Sequence, residues 1–226
     1  QKAARCKMNV PKLRFGEFAG DWEISTFDDI ALKQSRKYNP ETEKKDLTCI
    51  ELEHIEQGTG SLLGSVSAKE QKSIKNRFSQ GNVLFGKLRP YLRKYAQPNF
   101  DGVCSSEIWV FSGKTVNNDF LYRLIQTDYF MSAVSSTSGS KMPRAEWDLL
   151  KNLNFGYPKN TNEQQKIADF LSAVDEKITA LTAQKNALTQ YKQGMMQRIF
   201  SQTLRFKDDN GADYPEWVIY QLAQFL

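Results

Sequence analysis

From residue 167 onward the apolar positions fall at Ile167, Leu171, Val174, Ile178, Leu181, Leu188, Met195 and Ile199. Lys185 and Lys192 fill the two gaps, so that the whole series advances in alternating steps of four and three. That is a heptad pattern over more than four repeats, and it predicts a helix from about 161 to 201 carrying one apolar seam. Thr161-Asn-Glu-Gln-Gln165 suits its first turn, and no proline follows until Pro215. At about 1.5 Å per residue the helix is roughly 55–60 Å long. A domain of ordinary size covers only part of such a seam, so the pattern predicts a partner helix. The competing arrangement is a helix folded back on its own domain. Polar residues in a seam, here Lys185 and Lys192, set register or partner at some cost in stability.

Upstream the periods are mixed. Asp21 is placed to cap a short helix whose Trp22, Phe27 and Ile30 face inward. From about 47 to 112 short β-like runs alternate with turns: Leu47 to Leu52, Asn82 to Phe85 after Gly81, and Val103 to Phe111. Asn118 to Val134 reads as one helix, with Phe120, Leu121, Leu124, Ile125, Phe130, Met131 and Val134 on a broad stripe. A small polar loop, Ser135 to Ser140, leads through Lys141-Met-Pro-Arg144 to a short helix with Trp147, Leu149 and Leu150. Leu153 to Phe155 forms a last strand closed by Pro158. The predicted fold class is α+β: a mixed α/β domain over 10–160, after a flexible N-terminus 1–9, then a long coiled-coil-forming helix over 161–202. Residues 203–226 stand apart.

Composition narrows the function classes. The chain has 226 residues, 25% charged and 40% hydrophobic, which suits a soluble globular protein rather than a fibrous or disordered one. It lacks the roughly 18 consecutive apolar residues of a membrane span and a signal-type apolar core, which predicts a cytoplasmic protein without membrane association. Net charge is +5, a mild pointer to an anionic partner. Cys6, Cys49 and Cys104 are too few and too widely spaced for a disulfide framework or a zinc site, and His54 is the single histidine, so no metal ligand set is expected. His54 reads as a solvated or acid-paired surface residue. Ser112-Gly-Lys-Thr115 resembles the end of a phosphate-binding loop, but the required earlier glycine is Ile108. Gly58-Thr-Gly60-Ser-Leu-Leu-Gly64 fails the dinucleotide spacing and reads as a mobile turn. No nucleophile or kinase constellation is present, so no catalytic residue is assigned.

The last segment repeats the first. Leu13-Arg14-Phe15 returns as Leu204-Arg205-Phe206, and Trp22 returns as Trp217. Phe27 and Ile30 are matched by Leu222 and Phe225 at the same offsets from the tryptophan. A second unit therefore begins 191 residues after the first.

Five stretches in order carry a family resemblance: Pro11 to Phe15 before Trp22, Gly81 to Tyr91, Gly102 to Phe111, Gly139 to Arg144, and Glu163 to Ile178. With the restart after 203, the chain resembles the specificity subunits of Type I restriction–modification systems. The resemblance implies two target-recognition domains, each followed by a long helix, with the helices paired antiparallel and each domain reading half of a split site in double-stranded DNA. It implies methyltransferase and restriction subunits as partners. S-adenosylmethionine is expected on the methyltransferase and no cofactor on this chain. One recognition domain and one helix match a half-length subunit, which implies a homodimer through the long helix; a truncated chain reads the same way.

From Lys69 to Lys94 there are eight basic residues opposed only by Glu70, interleaved with Phe85, Tyr91 and Tyr95. Such a run suits phosphate contacts, and the small residues before Arg144 suit a loop entering a groove, where arginine reads guanine. The expected DNA-binding residues are Lys87, Arg89, Tyr91, Arg93, Lys94, Ser138, Gly139, Ser140, Lys141 and Arg144. A solvated basic face beside a turn is the plain alternative. At the level of function, the rival is a coiled-coil scaffold or antagonist that binds partner subunits without reading DNA.

Overall fold

The computed structural model describes residues 11–135 and 142–218, which cluster into two units, Gln1–Ser172 and Ala173–Leu226. Ser138, Gly139, Ser140 and Lys141 lie outside the described residues, as do Leu222 and Phe225. The first unit opens with β1 (Glu23–Thr26), α1 (Phe27–Ile30), β2 (Ala31–Lys33), β3 (Lys37–Tyr38) and β4 (Thr48–Ile50). It continues through β5 (Val66–Ser67), β6 (Lys75–Phe78), β7 (Val83–Gly86), β8 (Tyr95–Ala96), β9 (Gly102–Cys104) and β10 (Ile108–Gly113). Then come α2 (Asn118–Leu124), α3 (Asp128–Val134), α4 (Trp147–Leu150) and β11 (Asn154–Tyr157), and finally α5 (Thr161–Phe200), which runs on into the second unit.

The strands form an antiparallel pair β1-β11, a four-stranded sheet β2-β10-β7-β8 and a five-stranded sheet β3-β6-β9-β4-β5. Among the described residues only β4 and β9 run parallel. The four-stranded sheet is the middle layer. Val83, Phe85, Trp109 and Phe111 point to a core shared with α1, α2, α3 and α4, while Leu84, Ile108 and Val110 point to a second core with Ile50, Phe78 and Cys104. Burial on both faces explains why β7 and β10 read as unbroken apolar runs rather than as alternation. Phe27 centres the first core, with its ring 5.4–6.1 Å from those of Phe111, Phe130, Trp147 and Phe155.

The α+β class stands, with local corrections. Asp21 caps nothing: β1 intervenes, and the Thr26 hydroxyl accepts from the Asp29 amide at 3.3 Å to start α1. The single helix expected over Asn118–Val134 is two. Thr127 is extended, and its hydroxyl accepts from the Phe130 amide, so a second N-cap interrupts the apolar stripe. The Gly58–Gly64 turn is tied down, since the Tyr95 hydroxyl donates to the Gly58 carbonyl at 2.8 Å. His54 is 14% exposed; its Nε2 lies 3.9 Å from the Glu53 carboxylate, the acid pairing expected, and its Nδ1 accepts from the Glu51 amide at 3.0 Å, so that it also caps a turn.

The base of α5 is built into the first unit by two buried polar residues. Gln164 accepts from the Asn117 amide and donates to the Pro158 carbonyl, both at 2.8 Å. The Glu163 carboxylate, 1% exposed, accepts from Arg14 Nε and Nη2 at 2.7 Å and from the Trp22 indole at 3.1 Å. Ile167 packs against the first core, so the seam residue nearest the base is already covered within its own unit. Further along, Ile178, Leu181 and Leu188 are each more than half exposed. In the second unit, α5 ends where Gln202 takes a left-handed φ of +61°, and Leu204 donates back to the Arg198 carbonyl at 3.0 Å.

Candidate nucleic-acid interface

Lys87, Arg89, Tyr91, Arg93 and Lys94 all fall in the connection between β7 and β8. Lys87 follows the end of β7, its amide donating to the Glu107 carbonyl at 2.9 Å. Arg89 and Arg93 then bracket one turn of 3-10 helix, Pro90–Leu92, and both are left-handed at φ +51° and +49°. Two non-glycine residues in that region within five positions carry backbone strain of order 1–2 kcal/mol each, which a packed surround has to hold. The surround is visible. The Arg89 amide donates to the Pro143 carbonyl and the Ala145 amide to the Lys87 carbonyl, both at 2.8 Å, with Leu88 opposite Arg144 in an antiparallel bridge.

That short ladder brings Arg144, far along the chain, against the Lys87–Arg89 segment. Its guanidinium lies 3.1 Å from the Glu107 carboxylate, which orients it. Lys87 and Arg89 have no side-chain partner among the described residues, and Tyr91 is 55% exposed. A fifth group, Lys33, escaped the sequence reading. Its ammonium lies 4.5 Å from the centre of the Trp147 ring, and burial is the main cause of its lowered pKa, with repulsion from Lys87 adding to it. No local motif marks Lys33; only the pairing of β2 with β10 brings it near Lys87.

The rest of the basic run behaves differently. Lys94 donates to the Leu52 carbonyl at 2.7 Å, and Arg93 pairs with Asp128. Lys75 is buried against Glu51, and Arg77 pairs with Glu43 at 2.7 Å beneath Tyr38. Each of these cations already has a partner on the protein, Lys75 in the interior and Arg93 at the surface. What remains for an anionic ligand is a compact edge of Lys33, Lys87, Arg89 and Tyr91 beside Arg144. Among the described residues no group of three or more His, Cys, Asp or Glu side chains is placed to hold a metal, and no helix is long and apolar enough to cross a membrane.

A three-layer mixed α/β unit continuing into a 40-residue helix is the fold of restriction–modification specificity subunits. The chain superposes over 86% of its length, at TM-score 0.67 and 18% identity, on half (51%) of a chain from a structure describing assembly and conformational transition of the type I R-M system. The HsdS subunit of Thermoanaerobacter tengcongensis gives TM-score 0.64 at 19% identity over the same shares. Residues 19–190 match the family described as the Type I restriction modification DNA specificity domain, and the chain belongs to that family. It is 25% identical over 179 residues to the EcoDI specificity subunit of Escherichia coli, covering 75% of this chain and 40% of the relative. It is 21% identical over 218 residues to the MjaVIII specificity subunit of Methanocaldococcus jannaschii, covering 88% and 50%. The chain thus spans half or less of the length of these relatives.

Proposed function

We propose that this chain reads one half of a bipartite DNA site for a Type I restriction–modification complex and has no catalytic step of its own. One observation carries the reading: the ladder between Lys87–Arg89 and Pro143–Ala145 gathers two separated basic segments onto one edge, in a member of a DNA specificity family. Lys87 and Arg89 contact phosphates and set register, while Arg144, held by Glu107, faces base edges. Methyltransferase subunits, carrying S-adenosylmethionine, and restriction subunits assemble around it, and the complex works in the cytoplasm. The exposed seam Ile178-Leu181-Leu188 pairs antiparallel with the same seam of a second copy, so that α5 sets the distance between half-sites.

Selection from randomised duplexes by the chain assembled with its methyltransferase partner tests this. Enrichment of a short split or palindromic motif is expected, with a palindrome marking two identical copies. An assembly of correct mass that enriches nothing would favour a coiled-coil scaffold or antagonist that ignores sequence. One added heptad in α5 is expected to widen the selected spacer and leave the half-sites unchanged.

A further inference from the structure

The repeated segment reproduces a hydrogen-bonded shape as well as a sequence. Arg14 donates to the carbonyls of Ala19 and Gly20, the third and second residues before Trp22. Arg205 donates to the carbonyls of Tyr214 and Pro215, the third and second residues before Trp217. Each arginine curls its loop back so that its guanidinium and the indole are presented together. In the first copy that pair holds Glu163, and Phe15 stacks edge-on against Phe170 at 5.9 Å beside a hollow of about 400 Å³.

Among the described residues the second copy has no counterpart of Glu163. The one carboxylate that Arg205 meets among the described residues is Glu216, at 3.3 Å, an 88% exposed side chain of its own loop. The Trp217 indole N–H has no acceptor among the described residues, and its ring is 47% exposed. Phe206 is 69% exposed, where Phe15 is half-buried. A smaller apolar hollow of about 180 Å³ lies between Ile199, Leu204, Phe206 and Trp217.

We infer that residues 204–217 are a second latch and that it takes the first turns of α5 from a second copy of this chain: Glu163 on Arg205 and Trp217, with Ile167 and Phe170 beside Phe206. The acceptor is specified by the first copy, where the same arginine, aromatic ring and indole already grip that sequence. The charge complementarity is the same, a guanidinium toward a carboxylate. The latch of one copy therefore competes with the Arg14–Trp22 latch of the other for a single carboxylate. This rests on the proposed pairing of two copies, and the experiment separates the two ideas.

Sedimentation over a concentration series would compare the full chain with Arg205→Ala, Trp217→Phe, Arg14→Ala, the double variant Arg14→Ala/Arg205→Ala and a seam variant, Leu181→Asp/Leu188→Asp. Arg205→Ala is expected to weaken the dimer about tenfold, a change of about 1.4 kcal/mol. Trp217→Phe, which keeps a ring and loses only the N–H, should give a smaller loss. Thermal melts supply the second readout. The Arg14→Ala deficit relative to the parent chain should shrink as protein concentration rises, because another copy's Arg205 replaces the missing guanidinium, and this rescue should vanish in the double variant. An unchanged dimer constant for Arg205→Ala with an Arg14→Ala deficit independent of concentration overturns the latch, while seam variants that still break the dimer leave the pairing intact. A parent chain that is monomeric throughout the series overturns both.

Discussion

Arg14 and Glu163, 149 residues apart in the chain, meet in a two-pronged contact at 2.7 Å that closes the first unit on the base of its own long helix. With the carboxylate 1% exposed, removing the guanidinium leaves a buried charge uncompensated. Arg14→Ala is expected to lower stability at low protein concentration. Glu163→Gln, which keeps an acceptor for the indole, should cost less. Urea unfolding of both variants checks the order, and an Arg14→Ala loss below about 1 kcal/mol would mean that water reaches Glu163 in solution.

The strained turn separates stability from binding. At Arg89, φ +51° favours glycine, so Arg89→Gly should stabilise the domain by about 0.5–1 kcal/mol while weakening DNA binding. Opposite signs in a melt and a binding titration are the expected pattern. A variant that loses both stability and affinity would show that the Arg89 side chain supports the fold.

Salt dependence distinguishes the cations of the interface. Lys87→Ala is expected to reduce the slope of log affinity against log salt by about 0.9, as one lost phosphate contact does, with equal effect on all sequences. Arg144→Ala should instead relax preference at one base pair, worth about 1–3 kcal/mol of discrimination. Lys75→Met, at a buried position paired with Glu51, should alter stability and leave the salt slope as it was. Titrations at several salt concentrations, on cognate and substituted duplexes, read all three.

Much of this was legible in the sequence, and the misses have physical causes. The seam of α5 shows because heptad spacing survives in any surroundings, and β7 and β10 show because burial on both faces demands continuous apolar residues. Asn118–Val134 misled because its stripe keeps a helical phase across the break, and only the Thr127 cap separates the two helices. The basic run was visible as charge, yet which cations are free depends on Glu51, Glu43, Asp128 and the Leu52 carbonyl, all supplied by other segments. Lys33 left no trace, because it joins the patch through sheet pairing alone. Glu163 looked like an ordinary polar residue in a first helical turn. The repeated Leu-Arg-Phe and Trp were the signal that could have exposed its buried role.

The two described thiols carry an alkaline signature. Burial pushes the Cys49 thiol up to about 12, and Cys104, packed in the second core, is raised further. Unfolded thiols ionise near about 8.5, so the unfolded chain releases protons that the folded chain retains. The stability these groups contribute is complete below about pH 8.5 and is lost as pH climbs towards 12. The urea midpoint should therefore fall between pH 8 and pH 10.5, and fall less in Cys49→Ala/Cys104→Ala. An identical fall in that variant would assign the alkaline loss to other groups.

The middle sheet is covered on both sides, whereas the Lys87–Arg89 stretch of the connection after β7 is held by main-chain bonds to Glu107, Pro143 and Ala145 and by one bridge. Main-chain bonds do not depend on which side chains project from them. The side chains of Lys87, Arg89 and Tyr91 can thus be replaced while β7 and β10 keep every packing partner. On the proposed reading, a new DNA preference then costs only a few outward-facing letters and leaves the stability of the sheet untouched.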